Sequence, residues 1–460
     1  MYGNLIAGVL VALASIFMLV TSIRSRRLRR YFNFNKELRQ IKTRKPKITQ
    51  PEDKSKSLLI GHAGKRPVYI PDNAKHVFIC GTTGSGKTVA ISNFIKRIID
   101  NDYPALIIDG KGDTGEDSIL EIVTEMTQEK NKKLYVVNLA DMSQSHQYNP
   151  FKNASPTVAK DMLINMSDWS EEHYKLNAER YIQRILQLFE IEKITPSFQR
   201  IIQCMPESKF IEFSGMLLKQ ELISKEQHLD NLEVLNTSGK TSQGSTARFS
   251  TIAEGEMKNI LTGDGIDVSQ AMQENAIILF VLNPLVYPEL SPAFGRLVLI
   301  DAKQAIGTLF KERTERTFFI MDEINTYATT GLIDLINKSR SANVTCVLAT
   351  QSLSDLDFAN GDAFKEQIIE NCNNYLVMRQ NSGINAEHWA NILGTKSTME
   401  VTYQLQQRGL DTSETGFGSA KRVREFLYHP DDIKTLGVGN GIFMCKDSNV
   451  HSKIKINKPF

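Results

Sequence analysis

Hydrophobic and polar positions along the chain fall into three textures. Leu5 to Ile23 is an unbroken apolar run of 19 residues with no charged side chain before Arg24. At the helical rise this spans about 28 Å, enough to cross the hydrocarbon core of a bilayer, and it predicts one transmembrane helix. After Leu58 the pattern changes to short β-like runs split by Gly and Pro. These are LLIG, PVYIP, Val77 to Cys80, Ala105 to Asp109, KLYVVNLA, AIILFVLNP, Thr317 to Met321 and VTCVLAT. Strands apolar on both faces and alternating with helical stretches imply an α/β fold with a mostly parallel sheet. From about 155 to 270 the period is helical instead. Ala178, Tyr181, Ile182, Ile185, Leu188 and Phe189 share one face before Pro196 stops the run. Within that segment Asn236 to Thr246 has no large apolar side chain and reads as a mobile loop.

These textures divide the chain into a transmembrane anchor (1–23), a basic juxtamembrane linker (24–56), and an α/β domain in two parts (57–154 and 271–460) around an all-α insert (155–270). An A-x-A pattern at Ala12 to Ala14 would suit a cleaved secretory signal. A signal, however, carries its positive charge before the apolar stretch, whereas Arg24, Arg26, Arg27, Arg29 and Arg30 follow it. The positive-inside rule then places the rest of the chain in the cytoplasm, on the inner face of the cell membrane.

The formal charge of +3 describes no single part of the protein. Residues 24–56 hold 13 Lys/Arg and 3 Asp/Glu, a net of +10 suited to anionic lipid, whereas the 404 residues after them are net −7. The overall basic balance therefore does not mark a DNA-binding face. Five cysteines without a C-x-x-C pair specify neither a disulfide framework nor a zinc site.

Gly81-Thr82-Thr83-Gly84-Ser85-Gly86-Lys87-Thr88 fits the phosphate-binding loop G-x-x-x-x-G-K-[ST] in full. It lies between a strand and a helical stretch (Val89 to Ile99), as the chemistry requires: backbone N–H groups and a helix N-terminus face the phosphates. Lys87 would bridge the outer phosphates of ATP, and Thr88 would ligate Mg²⁺. The complementary strand, TFFIM, ends in Asp322, the expected second metal-shell ligand, and in Glu323, placed to polarise the attacking water. Gln351, just past VTCVLAT, lies on the same sheet edge, as a contact for the γ-phosphate or water or as an ordinary strand-end amide. Arg340 by itself reads as a solvated helix-end arginine.

A transmembrane start, RPVYIPDNAKHVFICGTTGSGKT, IDGKGD, YNPF at Tyr148 to Phe151, a helical insert, FFIMDEIN and LATQSLSDL occur in this order. The arrangement resembles the type IV coupling proteins of bacterial conjugation, of the TraG/TraD type, within the FtsK/HerA-like class of motors. The resemblance covers roughly residues 58–450. It implies a RecA-like P-loop NTPase core, ATP and Mg²⁺, and a membrane-anchored homo-hexamer that delivers single-stranded DNA with its attached relaxase to a type IV secretion channel. It also implies an arginine finger donated by the neighbouring subunit, and Arg340 is the matching position. Members commonly have two N-terminal spans; one is read here. Two other readings remain open: a double-stranded DNA translocase of the FtsK/HerA class, and a membrane adaptor that binds nucleotide without hydrolysing it. Glu323 weighs against the adaptor, which has no need of a catalytic carboxylate.

Overall fold

The computed structural model describes residues 12–24, 26, 53–72, 75–166, 169–312, 316–408 and 411–459. Most of the predicted basic linker therefore lies outside the described residues, as does the first part of the predicted span. Residues 12–24 are helical with exposed apolar side chains, and among the described residues no helix is long and apolar enough to cross a membrane.

Ile48–Ala386 and Pro430–Phe460 form one compact unit. Its strands are β1 (Ser57–Ala63), β2 (Arg66–Pro71), β3 (Val77–Cys80), β4 (Ala105–Asp109), β5 (Leu134–Asn138), β6 (Ile277–Val281), β7 (Thr317–Asp322), β8 (Val344–Thr350) and β9 (Asn374–Val377). The hairpin β10 (Thr395–Arg408) and β11 (Asp411–Phe426) belongs to the second unit, which includes Glu387–His429; β12 (Asn440–Cys445) and β13 (Val450–Ile456) return to the first. The large sheet has 11 strands in the order β2-β1-β13-β12-β9-β3-β8-β7-β4-β6-β5. From β9 to β5 every pairing is parallel, and β12, β13, β1 and β2 extend that edge antiparallel. The parallel centre follows from composition: every residue of β3, β4, β6, β7 and β8 is buried, so both faces need helical cover.

One such cover is the helix Lys87–Asp100, which turns Ala90, Ile91, Phe94, Ile95, Ile98 and Ile99 onto Val77, Ile79, Ile107 and Ile320. Each fully buried side chain of this size contributes about 1.5–3 kcal/mol, so a charge at Ile95 would undo the seat of the phosphate loop. The helix stops at Asn101, whose side-chain amide donates to the Arg97 carbonyl at 2.9 Å, and Asp102 turns into the left-handed region (φ 55°) to lead into β4.

Between β5 and β6 every described element is helical, from the 3-10 turn Met142–Gln144 through Pro156–Asn165 to Val268–Gln273. The YNPF motif ties this insert to the sheet. The Tyr148 hydroxyl donates to Asp301 Oδ2 at 2.6 Å, and its ring packs edge-on against Phe280 and Phe294. Asn149 Nδ2 donates to the carbonyls of Pro196 and Gly263, each at 3.0 Å, while Phe151 stacks on Phe198.

Two expectations are corrected here. Asn236 to Thr246 is not a mobile loop: a π-helical turn, Leu235–Gly239, runs almost directly into the helix Gln243–Glu254. Its hydroxyls bond back to carbonyls four residues earlier, as from Thr237 to Glu233 (2.9 Å) and Ser242 to Ser238 (2.7 Å). Its small residues serve close packing, since a Cβ on Gly239 would stand 3.2 Å from the Tyr181 ring. Secondly, the stretch 271–460 is not one continuous piece of the nucleotide domain. The β10–β11 hairpin interrupts it, and the alternation of Met399, Val401, Tyr403 and Leu405 was the strand signal.

Candidate active site

Parallel strands point their carboxyl ends to one edge, and there the predicted residues other than Arg340, which precedes β8, meet. The phosphate loop leaves β3 and turns through Gly84 (φ 72°) and Gly86 (φ 104°), a backbone that side chains with a Cβ rarely adopt. Neighbours fix it from three sides. Thr82 N–H donates to the Arg379 carbonyl (3.0 Å), Gly81 N–H to the Thr350 carbonyl (3.2 Å), and Gly439 N–H to the Ser85 carbonyl (2.9 Å). A Cβ on Gly81 would stand 2.6 Å from the Met378 Cβ, which makes glycine obligatory at that step too.

Lys87 opens the following helix, is 8% exposed, and donates from Nζ to the Gly81 carbonyl at 2.8 Å. The same Nζ lies 3.2 Å from Glu323 Oε1. Thr88 is next on the helix, and Ser85 is buried within the loop.

Asp322 ends β7 and faces Asp109 at the end of β4, the two being paired in register. Burial raises the Asp322 carboxyl, and the Glu323 and Asp109 carboxylates push it further in the same direction. Asp109 is raised to about 6 by burial, opposed by the N–H groups of Lys111 (3.0 Å) and Gly112 (3.2 Å) that its Oδ1 accepts. Asp322 Oδ1 and Glu323 Oε2 are buried with no hydrogen-bond partner. Glu323 has a left-handed backbone (φ 46°, ψ 52°), uncommon for a non-glycine and characteristic of functional sites. The Tyr327 hydroxyl, donating to the Asp322 carbonyl at 3.1 Å, and the Thr326 N–H, donating to the Glu323 carbonyl at 2.9 Å, hold that turn.

Gln351 follows β8, next to the phosphate loop: its Oε1 accepts from the Thr83 hydroxyl at 3.2 Å. Arg340 begins a single 3-10 turn, Arg340–Ala342, just before β8, and its side chain lies outside the described residues. Sequence reading missed Asp109, Met378–Gln380 and Gly439. Asp109 carried a signal, an acid ending an apolar strand just as Asp322 does. The others carried none, because the pairing that sets β9 beside β3 is invisible along the chain.

The site can hold phosphate on loop N–H groups and Lys87, and it offers orphaned buried carboxylate oxygens to a cation. Among the described residues no group of three or more His, Cys, Asp or Glu is arranged to hold a metal ion. Magnesium needs none, since it commonly takes one or two protein oxygens and completes its shell with phosphates and water.

Residues 25–459 match the family described as type IV secretory system conjugative DNA transfer. The chain belongs to this family. An uncharacterized protein of Mycoplasma pneumoniae is 33% identical over 104 residues, which are 23% of this chain and 69% of that one. Among solved structures, the bacterial conjugative coupling protein TrwBdeltaN70 superposes with a TM-score of 0.63 at 16% identity, over 89% of this chain and 90% of that one. VirB4 of Thermoanaerobacter pseudethanolicus gives 0.56 at 13% identity, over 89% and 98%. At these identities the likeness speaks for the fold. TrwB has itself been solved with a non-hydrolysable GTP analogue, and with ADP and Mg²⁺.

Proposed function

We propose that this member of the conjugative DNA transfer family is a membrane-anchored, ATP-driven coupling protein. It moves single-stranded DNA with its attached relaxase toward a type IV secretion channel, from the cytoplasmic face of the cell membrane. The observation that carries the enzymatic part is the convergence of Lys87, Asp322, Glu323 and Gln351 on one sheet edge, with Lys87 in contact with Glu323.

In this reading the loop N–H groups and Lys87 bind the phosphates, and Gln351 senses the terminal one through Thr83. Thr88 and Asp322 would hold Mg²⁺, which when bound neutralises charge between the outer phosphates. Glu323 takes the proton of the attacking water; its orphaned Oε2 is the acceptor. Arg340 of a neighbouring copy would complete the site in a homo-hexamer. The apolar run from Leu5 to Ile23 and the +10 segment after it support the membrane anchor and its orientation.

Conjugative transfer in cells carrying Lys87→Ala tests this reading. Loss of transfer with normal protein level is expected; undiminished transfer would refute the motor.

A further inference from the structure

Directly after β9 the chain runs Met378-Arg379-Gln380, and these residues are tied to the phosphate loop or to the ends of the strands beside it. Met378 N–H donates to the Cys80 carbonyl at 2.8 Å, and its side chain closes over Gly81. The Arg379 carbonyl accepts from Thr82 N–H at 3.0 Å. Gln380 Nε2 donates to the Gln351 carbonyl at 3.5 Å and lies 3.6 Å from Cys80 Sγ.

The half-buried Arg379 side chain, in contrast, is incompletely satisfied. Its Nε is buried without a hydrogen bond, and no carboxylate among the described residues pairs with it. A permanently charged group with a bare buried N–H is costly to keep, and such groups concentrate where a ligand completes them. The position along the loop says which part of a ligand. Lys87, which opens the helix, reaches the outer phosphates. Thr82 and Thr83 are at the strand end, where Gln351 also stands.

We propose that Arg379 donates to the terminal phosphate of the nucleotide held by its own chain's loop. This rests on the reading of that loop as a nucleoside triphosphate site. A guanidinium suits the task because it stays charged and offers paired N–H groups to phosphate oxygens.

The test is equilibrium binding of a fluorescent non-hydrolysable ATP analogue, and separately of fluorescent ADP, to the full chain. Parent, Arg379→Ala and Arg379→Lys are compared, with melting temperature measured without nucleotide. Arg379→Ala should weaken the triphosphate roughly ten- to hundredfold, the range for a lost charge-assisted hydrogen bond, and leave ADP within about twofold. Lysine should recover part of the loss. Equal weakening of both nucleotides, or of neither, would overturn the proposal. A parent that binds neither nucleotide would instead refute the nucleotide site itself. Should Arg379→Ala fail to fold, Arg379→Gln is read by the same criteria.

Discussion

Lys87 Nζ stands 3.2 Å from Glu323 Oε1, with the two side chains 9% and 8% exposed. The cation shaped for phosphate and the carboxylate shaped for water thus form a buried ion pair. Removing one partner of a buried pair strands the other charge, at a cost of about 3–5 kcal/mol. Lys87→Ala should therefore lower the denaturant midpoint as well as abolish nucleotide binding. The double variant with Glu323→Gln should recover most of that stability. Additive losses in the double-mutant cycle would show that the pair is not coupled.

Glu323→Gln alone keeps an acceptor for Lys87 and removes the base. ATP binding should persist while turnover falls by about 10²–10⁴-fold, the usual contribution of general-base catalysis. Nucleotide titration alongside phosphate release measures both quantities on one sample.

Gly112 has φ 69°, and a Cβ there would fall 1.7 Å from the Leu282 carbonyl oxygen. The clash is with backbone, which cannot swing away. Gly112→Ala is expected to destabilise the fold by more than about 3 kcal/mol, read as a lower urea midpoint with an unchanged slope.

Asn149 joins the helical insert to the sheet through two carbonyls. Asn149→Ala orphans both, at about 1–3 kcal/mol each. Limited proteolysis should then cut within residues 156–273 before the sheet is attacked, whereas an unchanged digestion pattern would assign the tether elsewhere.

Asp301 is buried and its carboxyl is raised to about 8, chiefly by burial, against about 3.9 in an unfolded chain. The folded state holds the proton more tightly. This contribution to stability is complete below about pH 4 and is lost as pH rises toward 8. Asp301→Asn removes the titration, so its stability relative to the parent should climb across that window by on the order of a few kcal/mol. A parent-minus-variant difference that is flat with pH would contradict the assignment.

Much of the site was legible because its chemistry is local. The loop from Gly81 to Thr88 declares itself by spacing, and Asp322 with Glu323 by ending an apolar strand. Gln351 was placed by the same edge rule, and the structure gives it a concrete partner in Thr83. What sequence could not supply depends on pairing between distant segments. Arg379 meets Thr82 because β9 lies beside β3, and Gly439 meets Ser85 although 354 residues separate them. The error at Asn236 to Thr246 has a different cause. Polarity suggested solvent, but small hydroxyl residues can line a tight helix contact as readily as a loop.

Steady-state ATP hydrolysis by the purified chain, with and without single-stranded DNA and across protein concentration, bears most directly on the central claim. DNA-stimulated turnover that rises more steeply than protein concentration, and is lost in Glu323→Gln, is the expected result. Hydrolysis by Glu323→Gln at the parent rate, or a parent that neither hydrolyses ATP nor responds to DNA at any concentration, would contradict it.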